Sequence, residues 1–275
     1  MSKIAFIGCG SMAEAMISGI IANNYIQPSQ IMTMNKNNLE RRQELTNKYG
    51  IETATNFSQL LHDATIVILA VKPQNVFEAL AAAKPYINKQ MLIISVAAGI
   101  STNTIAEIIG GDIPIIRSMP NTSAAVGKSA TALCTNNFTT EAQLETAKAL
   151  FETFGTATVV REEQLDSVTG LSGSGPAYIY YVVEAMEEAA IKIGLDQAAA
   201  KELIVQTLNG AAEMLQQSPK TPAKLRKEVT SPGGTTEAGL KVLQAHEVKE
   251  AFVECIIAAT ERSKQLGNNL TIGIK

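Results

Sequence analysis

An apolar tetrapeptide that runs straight into two glycines constrains this chain more than any other feature. Ile4, Ala5, Phe6 and Ile7 are too few for a helix and of the right kind for a strand buried on both faces. Gly8-Cys9-Gly10-Ser11-Met12-Ala13 follows at Gly-x-Gly-x-x-Ala spacing. It opens a segment in which Met12, Ala15, Met16 and Ile20 recur at helical spacing. A strand must therefore turn sharply into a helix. Gly8 permits the turn, Gly10 lets the backbone approach a pyrophosphate, and Ala13 lets the helix pack close to the strand. Together with Ser11 and Met12 they present free N–H groups and a partial positive charge to phosphates. Ser11, three residues ahead of Glu14, has the pattern of a capping box. A plain strand-to-helix turn is the bland alternative, and the strand-turn-helix setting favours dinucleotide binding over it.

The 275 residues suffice for one large or two modest domains. A hydrophobic content of 46% with 18% charged residues marks a globular protein. A net charge of −3 without a Lys/Arg cluster leaves no electrostatic footprint for nucleic acid, so a small-molecule partner is expected. The sequence shows no basic, apolar, cleavable leader, and runs such as residues 66–71 fall far short of a membrane span. A cytoplasmic protein is expected. Cys9, Cys134 and Cys255 form no Cys-x-x-Cys pair, which supports neither a metal site nor a disulfide. His62 and His246 are the only histidines, both in polar, helix-like settings that predict solvated side chains. Whatever chemistry occurs must manage largely without imidazole.

Residues 30–34 read as a second strand, whose end should meet the adenosine ribose. An NAD enzyme would place Asp or Glu there to hold the 2′-hydroxyl. Asn35-Lys36-Asn37-Asn38 stands there instead. Asn35 can donate hydrogen bonds, and Lys36, Arg41 or Arg42 can supply charge to a 2′-phosphate, which favours NADPH while leaving NADH possible. An ordinary polar loop is the alternative. Residues 39–49 form a charged helix ended by Gly50, and Thr55-Asn56 caps a short helix through Leu61. Residues 64–70 read as a third strand followed by Val71-Lys72-Pro73. Lys72 and Asn56 are placed to flank a cofactor at the strand ends, with Ala70, Val71 and Pro73 beside them. A fourth strand, 91–96, ends in Ala97-Ala98-Gly99, small residues that leave room beside the strand end. Strands at 113–117, 130–134 and 156–160, with a helix over 140–154, complete the alternation. The pattern predicts an α/β, doubly wound, mainly parallel sheet of Rossmann type over residues 1–160.

From Glu162 on no strand is evident. Ile179, Val182, Val183, Met186, Ala190 and Ile193 share one helical face, Ile204, Leu208, Ala211 and Leu215 another, and Val248, Phe252, Ile256 and Ala259 a third. Residues 161–275 thus read as an all-α domain, apolar over more faces than it can hide alone. Burial against a second copy is the natural remedy, and a well-packed monomeric bundle is the alternative.

Two stretches of this part stand out. Gly170-Leu171-Ser172-Gly173-Ser174-Gly175-Pro176-Ala177 interrupts the helical pattern, either as a hinge or as a small-residue junction leaving space for a ligand. On the second reading Ser174 joins the substrate contacts. Val229-Thr230-Ser231-Pro232-Gly233-Gly234-Thr235-Thr236 leads into a helix from Glu237. Its amides and four hydroxyls form a nest for a carboxylate without a bulky cation. A small acid substrate fits such a loop.

Gly8-x-Gly10-x-x-Ala13, Ala70-Val71-Lys72-Pro73, Ala97-Ala98-Gly99, the 171–178 segment and Thr230-Ser231-Pro232-Gly233-Gly234-Thr235-Thr236 together resemble the Δ1-pyrroline-5-carboxylate reductase family over essentially the whole chain. The first motif is shared by many dinucleotide enzymes, and the last two are particular to this family. Ser218-Pro219 departs locally from its usual pattern. The resemblance implies NAD(P)H-dependent reduction of the cyclic imine 1-pyrroline-5-carboxylate to L-proline, the final step of proline biosynthesis. It implies a homodimer through the C-terminal helices, often built further into a ring of five dimers. It also implies cofactor contacts from residues 8–13, Asn35, Asn56, 70–73 and 97–99, and substrate contacts from Ser231, Gly233, Gly234, Thr235 and Thr236. Thr236 is the candidate catalytic residue, hydrogen bonding the ring nitrogen as an orienter first and an acid second. Two rivals are a reductase of the same build acting on another imine or a hydroxy acid, and a non-catalytic NADP sensor.

Overall fold

In a computed structural model of the chain, which describes residues 3–36 and 38–272, the apolar tetrapeptide forms β1 (Ile4–Ile7), buried along its whole length. It is joined by β2 (Ile31–Met34), β3 (Glu52–Thr53), β4 (Ile66–Leu69), β5 (Leu92–Ser95), β6 (Ile115–Met119), β7 (Ser129–Thr135) and β8 (Gly155–Val159). The sheet runs in the order β3-β2-β1-β4-β5-β6-β7-β8. All neighbours are parallel except β6 and β7, so the doubly wound, mainly parallel expectation holds. Asn37 of the expected 2′-phosphate loop lies outside the described residues.

Successive side chains of a strand leave on opposite faces. In β1, Ile4 and Phe6 enter one apolar cluster and Ala5 and Ile7 the other; in β4, Ile66 and Ile68 divide from Val67 and Leu69 in the same way. Helices must therefore cover both faces, which is why these strands read as unbroken apolar runs. The covering helices are α1 (Ser11–Ala22), α2 (Leu39–Tyr49), α3 (Phe57–Leu61), α4 (Val76–Ala83), α5 (Thr102–Ile109) and α6 (Glu141–Glu152). Gly50 ends α2 at φ 69°, and Asn56 caps α3 by accepting from the Gln59 N–H at 2.9 Å, both as the sequence predicts. β3 and α5 carried no sequence expectation. Ser101 caps α5 by accepting from the Thr104 N–H at 3.0 Å.

The rest is helical: α7 (Leu165–Val168), α8 (Gly175–Lys192), α9 (Gln197–Gln217), α10 (Pro222–Glu228), α11 (Thr235–Ala245) and α12 (Val248–Ile272). The glycine-serine segment is helical up to a bend at Ser174, and the boundary between the two compact units falls within it, at Pro176. Residues Thr169–Gly173 form one turn of π-helix that leads into α8, a rare local widening of the helix. By compactness the residues through Pro176, together with those from Ile257, form one unit and Ala177–Ile256 a second. No helix among the described residues is long and apolar enough to cross a membrane.

Candidate functional site

β1 lies between β2 and β4, so the chain leaves the sheet centre in opposite directions on either side of it. Such a switch point opens a crevice at the C-terminal strand ends. Gly8 sits there at φ 107°, and a Cβ on it would lie 2.5 Å from the Ala70 carbonyl oxygen at the end of β4. Only glycine serves at this position. A Cβ on Gly10, by contrast, would meet nothing within 4 Å. Ala13 is fully buried, as close packing of α1 on the sheet requires.

The capping-box expectation for Ser11 and Glu14 fails. Gly10 is the N-cap of α1 and no side chain caps it. Glu14 reaches away to Arg41, to Lys48 Nζ at 2.9 Å and to the Tyr49 hydroxyl at 3.0 Å. Donation from Lys48, then from Arg41 and Tyr49, holds the Glu14 carboxyl at about 2 despite its partial burial. The first-turn amides of α1 thus keep their capacity for an anion, and Glu14's charge is balanced by cations of α2. These features fit the pyrophosphate of a dinucleotide.

Arg41 is not a free cation for a 2′-phosphate. Besides Glu14, it binds Glu44 at 2.7 Å, and its Nε donates to the Cys9 carbonyl at 3.2 Å. It therefore ties α2 to the glycine loop. Arg42 donates to the Ala54 carbonyl at 2.7 Å. Lys36, exposed after β2, pairs with Glu78, and Asn35 accepts from the Asn38 N–H at 3.2 Å. Of the cations considered, Lys36 is the most accessible. Asn56 caps α3 and is exposed. Lys72 is exposed after β4 and precedes a short 3-10 turn begun by Pro73. Ala97 is buried and Ala98 and Gly99 are partly exposed beyond β5. Residues 8–13, 35–36, 70–73 and 97–99 thus follow the ends of β1, β2, β4 and β5.

Sequence reasoning assigned no role to Asn121, which follows β6. Its side chain donates to the Ser172 carbonyl at 3.0 Å and accepts from the Ser123 N–H at 3.2 Å. A Cβ on Gly173 would lie 2.7 Å from the Met119 methyl. These contacts seat the π-turn, and with it Ser174, against the β6 end. The Met-Pro-Asn sequence after a strand was the available signal.

In the second unit, Ser231-Pro232-Gly233-Gly234 makes a tight turn with Gly233 at φ 71° and the Gly234 N–H donating to the Ser231 carbonyl at 3.0 Å. Proline and a left-handed glycine in succession dictate that turn. Gly234 is the N-cap of α11, again without a side-chain cap. The expected nest is narrower than the sequence implies. The Gly233 N–H donates to Glu237 Oε2 at 2.7 Å, and the Thr230 hydroxyl donates to the Arg226 carbonyl at 2.6 Å. What remains for an anion are the first amides of α11 and the hydroxyls of Ser231, Thr235 and Thr236, all three exposed. His62, within hydrogen-bond distance of Asp63, and His246 are exposed too.

Comparison with known proteins decides the family. Residues 162–266 match a model described as pyrroline-5-carboxylate reductase dimerisation. Residues 3–99 match one described as NADP oxidoreductase, coenzyme F420-dependent. The chain is 48% identical to pyrroline-5-carboxylate reductase 2 of Bacillus subtilis, covering 97% of this chain and 95% of that one. The chain belongs to the pyrroline-5-carboxylate reductase family. The structure of the Coxiella burnetii reductase superposes with a TM-score of 0.90 at 37% identity, covering 96% of this chain and 98% of that one. The Plasmodium falciparum enzyme, solved with NADP bound, gives 0.88 at 28% identity over 97% and 98%. The model matching 162–266 also supports the helical part as the region of self-association.

Proposed function

We propose that the chain reduces 1-pyrroline-5-carboxylate to L-proline with NAD(P)H, the last step of proline biosynthesis. The single observation that carries the residue assignment is the pair of uncapped helix N-termini, at Gly10 and at Gly234. Both follow glycine turns, and both suit an anion: a pyrophosphate at the first, the substrate carboxylate at the second. Bound NAD(P)H supplies the hydride. Residues 8–13 hold the pyrophosphate, Asn35 and Lys36 the ribose end, and 70–73 and 97–99 the flanks. Asn35-Lys36-Asn37-Asn38 offers no Asp or Glu for a ribose 2′-hydroxyl directly after β2, which supports NADPH over NADH.

The turn at 231–236 fixes the imine through its carboxylate, which accepts from the α11 amides and the Ser231 and Thr235 hydroxyls. Thr236 hydrogen bonds the ring nitrogen, and Ser174 lines the substrate. A ring nitrogen that carries a proton is already electrophilic, so the protein's task is alignment, which can supply ~7–11 kcal/mol of a barrier. Histidine is not needed for that. We infer a cytoplasmic enzyme of residues 1–160 and 161–275, dimeric through its helices and associated into a ring of five dimers.

Replacing Thr236 by Val removes one donor and keeps the shape. Turnover should fall about 10- to 100-fold with the NADPH KM unchanged. Equal turnover in both proteins removes Thr236 from the site.

A further inference from the structure

From Ile257 onward α12 belongs to the same compact unit as the sheet, and two contacts one turn apart hold it there. Ser263 is buried and its hydroxyl donates to Asp166 at 2.6 Å. Four residues later, Gly267 meets Gly99 backbone to backbone. A Cβ on Gly267 would stand 2.9 Å from the Gly99 carbonyl oxygen and 3.4 Å from its Cα. A Cβ on Gly99, whose φ is +75°, would stand 3.1 Å from the Gly267 Cα. Neither neighbour is the free end of a side chain, so neither can swing aside.

The loop that Gly267 touches has little slack. On the strand side the Val96 N–H donates to the Leu69 carbonyl at 3.1 Å and the Ala97 N–H to the Ser95 hydroxyl at 3.3 Å. On the helix side the Thr102 N–H and hydroxyl donate to the two oxygens of Glu162 at 2.7 and 2.6 Å, and Arg117 lies 3.5 Å from the same carboxylate. Pinned at both ends, residues 97–99 can respond to pressure from α12 only by bulging as a loop.

We propose that Gly267 is a positioning residue for the nicotinamide cofactor: by leaving no side chain between α12 and Gly99, it sets the depth at which the 97–99 loop meets the cofactor. This rests on the reading of 97–99 as a cofactor flank. Fluorescence titration of NADPH without substrate, beside steady-state kinetics, on three full-length variants separates the two, and each NADPH KM shift below should appear equally in the NADPH Kd. Gly267→Ala should raise the NADPH KM about 10-fold while kcat stays within about 2-fold, since the loop binds cofactor and does not react. Ser263→Ala, which loosens the same helix without pressing on the loop, should lower the melting temperature and leave the NADPH KM unchanged. Ala98→Leu, inside the loop, should raise the NADPH KM whether or not Gly267 matters. An unchanged KM in Gly267→Ala beside a raised one in Ala98→Leu overturns the positioning role alone. Silence of both overturns the cofactor reading of the loop and the proposal with it. Equal KM rises in Gly267→Ala and Ser263→Ala also overturn it, because general undocking of α12 then accounts for the effect.

Discussion

In the sheet-containing unit, the side chains of β1, β4 and β5 are buried almost completely, whereas within Ala177–Ile256 the buried apolar residues are Ala190, Ala200 and Ile204. Tyr181 and Ile193 each keep 74% of their surface, and Ile191 63%. The first unit completes its own core from one chain. The second carries a comparable apolar content on helices and leaves much of it uncovered, more than a lone chain tolerates in water. The difference teaches where each part of the chemistry resides. The turn before α1, proposed to cradle the pyrophosphate, lies in a unit whose core one chain completes, whereas the turn before α11, proposed to hold the substrate, lies in a helical layer whose uncovered apolar faces suit self-association.

The sharpest way to break that contrast is to charge the uncovered faces. Ile179→Asp combined with Leu203→Asp replaces two half-exposed apolar residues. If those faces are covered in the assembly, each buried, unpaired carboxylate costs several kcal/mol (on the order of 3–5). Analytical ultracentrifugation should then show monomer, and imine reduction should drop by more than about 100-fold, while NADPH still binds within about 3-fold in a fluorescence titration. Retained assembly with retained turnover shows that these side chains face solvent in the working enzyme.

The same contrast governed what the sequence made legible. Strands buried on both faces announce themselves as apolar runs, so seven of the strands were placed from residues alone. β3 escaped because two residues, Glu52 and Thr53, pair only with Met32 and Thr33 and bury little. α5 escaped because Thr102-Asn103-Thr104 is a poor helix start; the usable signals were the Ser101 cap and the buried Ile105 and Ile109 four apart. Glu14 was assigned to its own helix when its partners lie on α2, 27 to 35 residues on. Glu162 caps α5 across a separation of 60 residues, and Gly267 meets Gly99 across still more. Local motifs state which backbone can hold an anion. They do not state which side chains the fold has already claimed.

Within the single-chain half, Glu14 gives a test of intermediate size. Its carboxyl is held at a pKa of about 2, well below the ordinary 4.5, chiefly by donation from Lys48. A depressed carboxylate stabilises the folded state above its unfolded pKa, and that contribution is lost as pH falls through 4.5 toward 2. Its side chain is one-fifth exposed, which trims the gain. Glu14→Gln should therefore cost about 2 kcal/mol in urea unfolding at pH 7. The gap to the parent protein should narrow as the pH falls below 4.5 and close only at or below about pH 2. A gap that persists in acid means the ion cluster is not its source, and that packing around α1 and α2 is.

The smallest effect separates the two cofactors at the open edge of the same half. Lys36 follows β2, is exposed, and is paired with Glu78 of α4. An exposed pair in high dielectric contributes little, so Lys36 can exchange Glu78 for a 2′-phosphate at slight cost. Lys36→Ala should then raise the NADPH KM by about 2- to 5-fold and leave the NADH KM alone. Glu78→Gln should lower the NADPH KM, because it removes the competing carboxylate from the same ammonium. Both shifts should shrink at 0.5 M salt, where the Debye length falls to about 4 Å. Identical responses with NADPH and NADH would place the 2′-phosphate away from Lys36. Arg42 would then have to give up the Ala54 carbonyl to bind it, because Arg41 is already committed to Glu14, Glu44 and the Cys9 carbonyl.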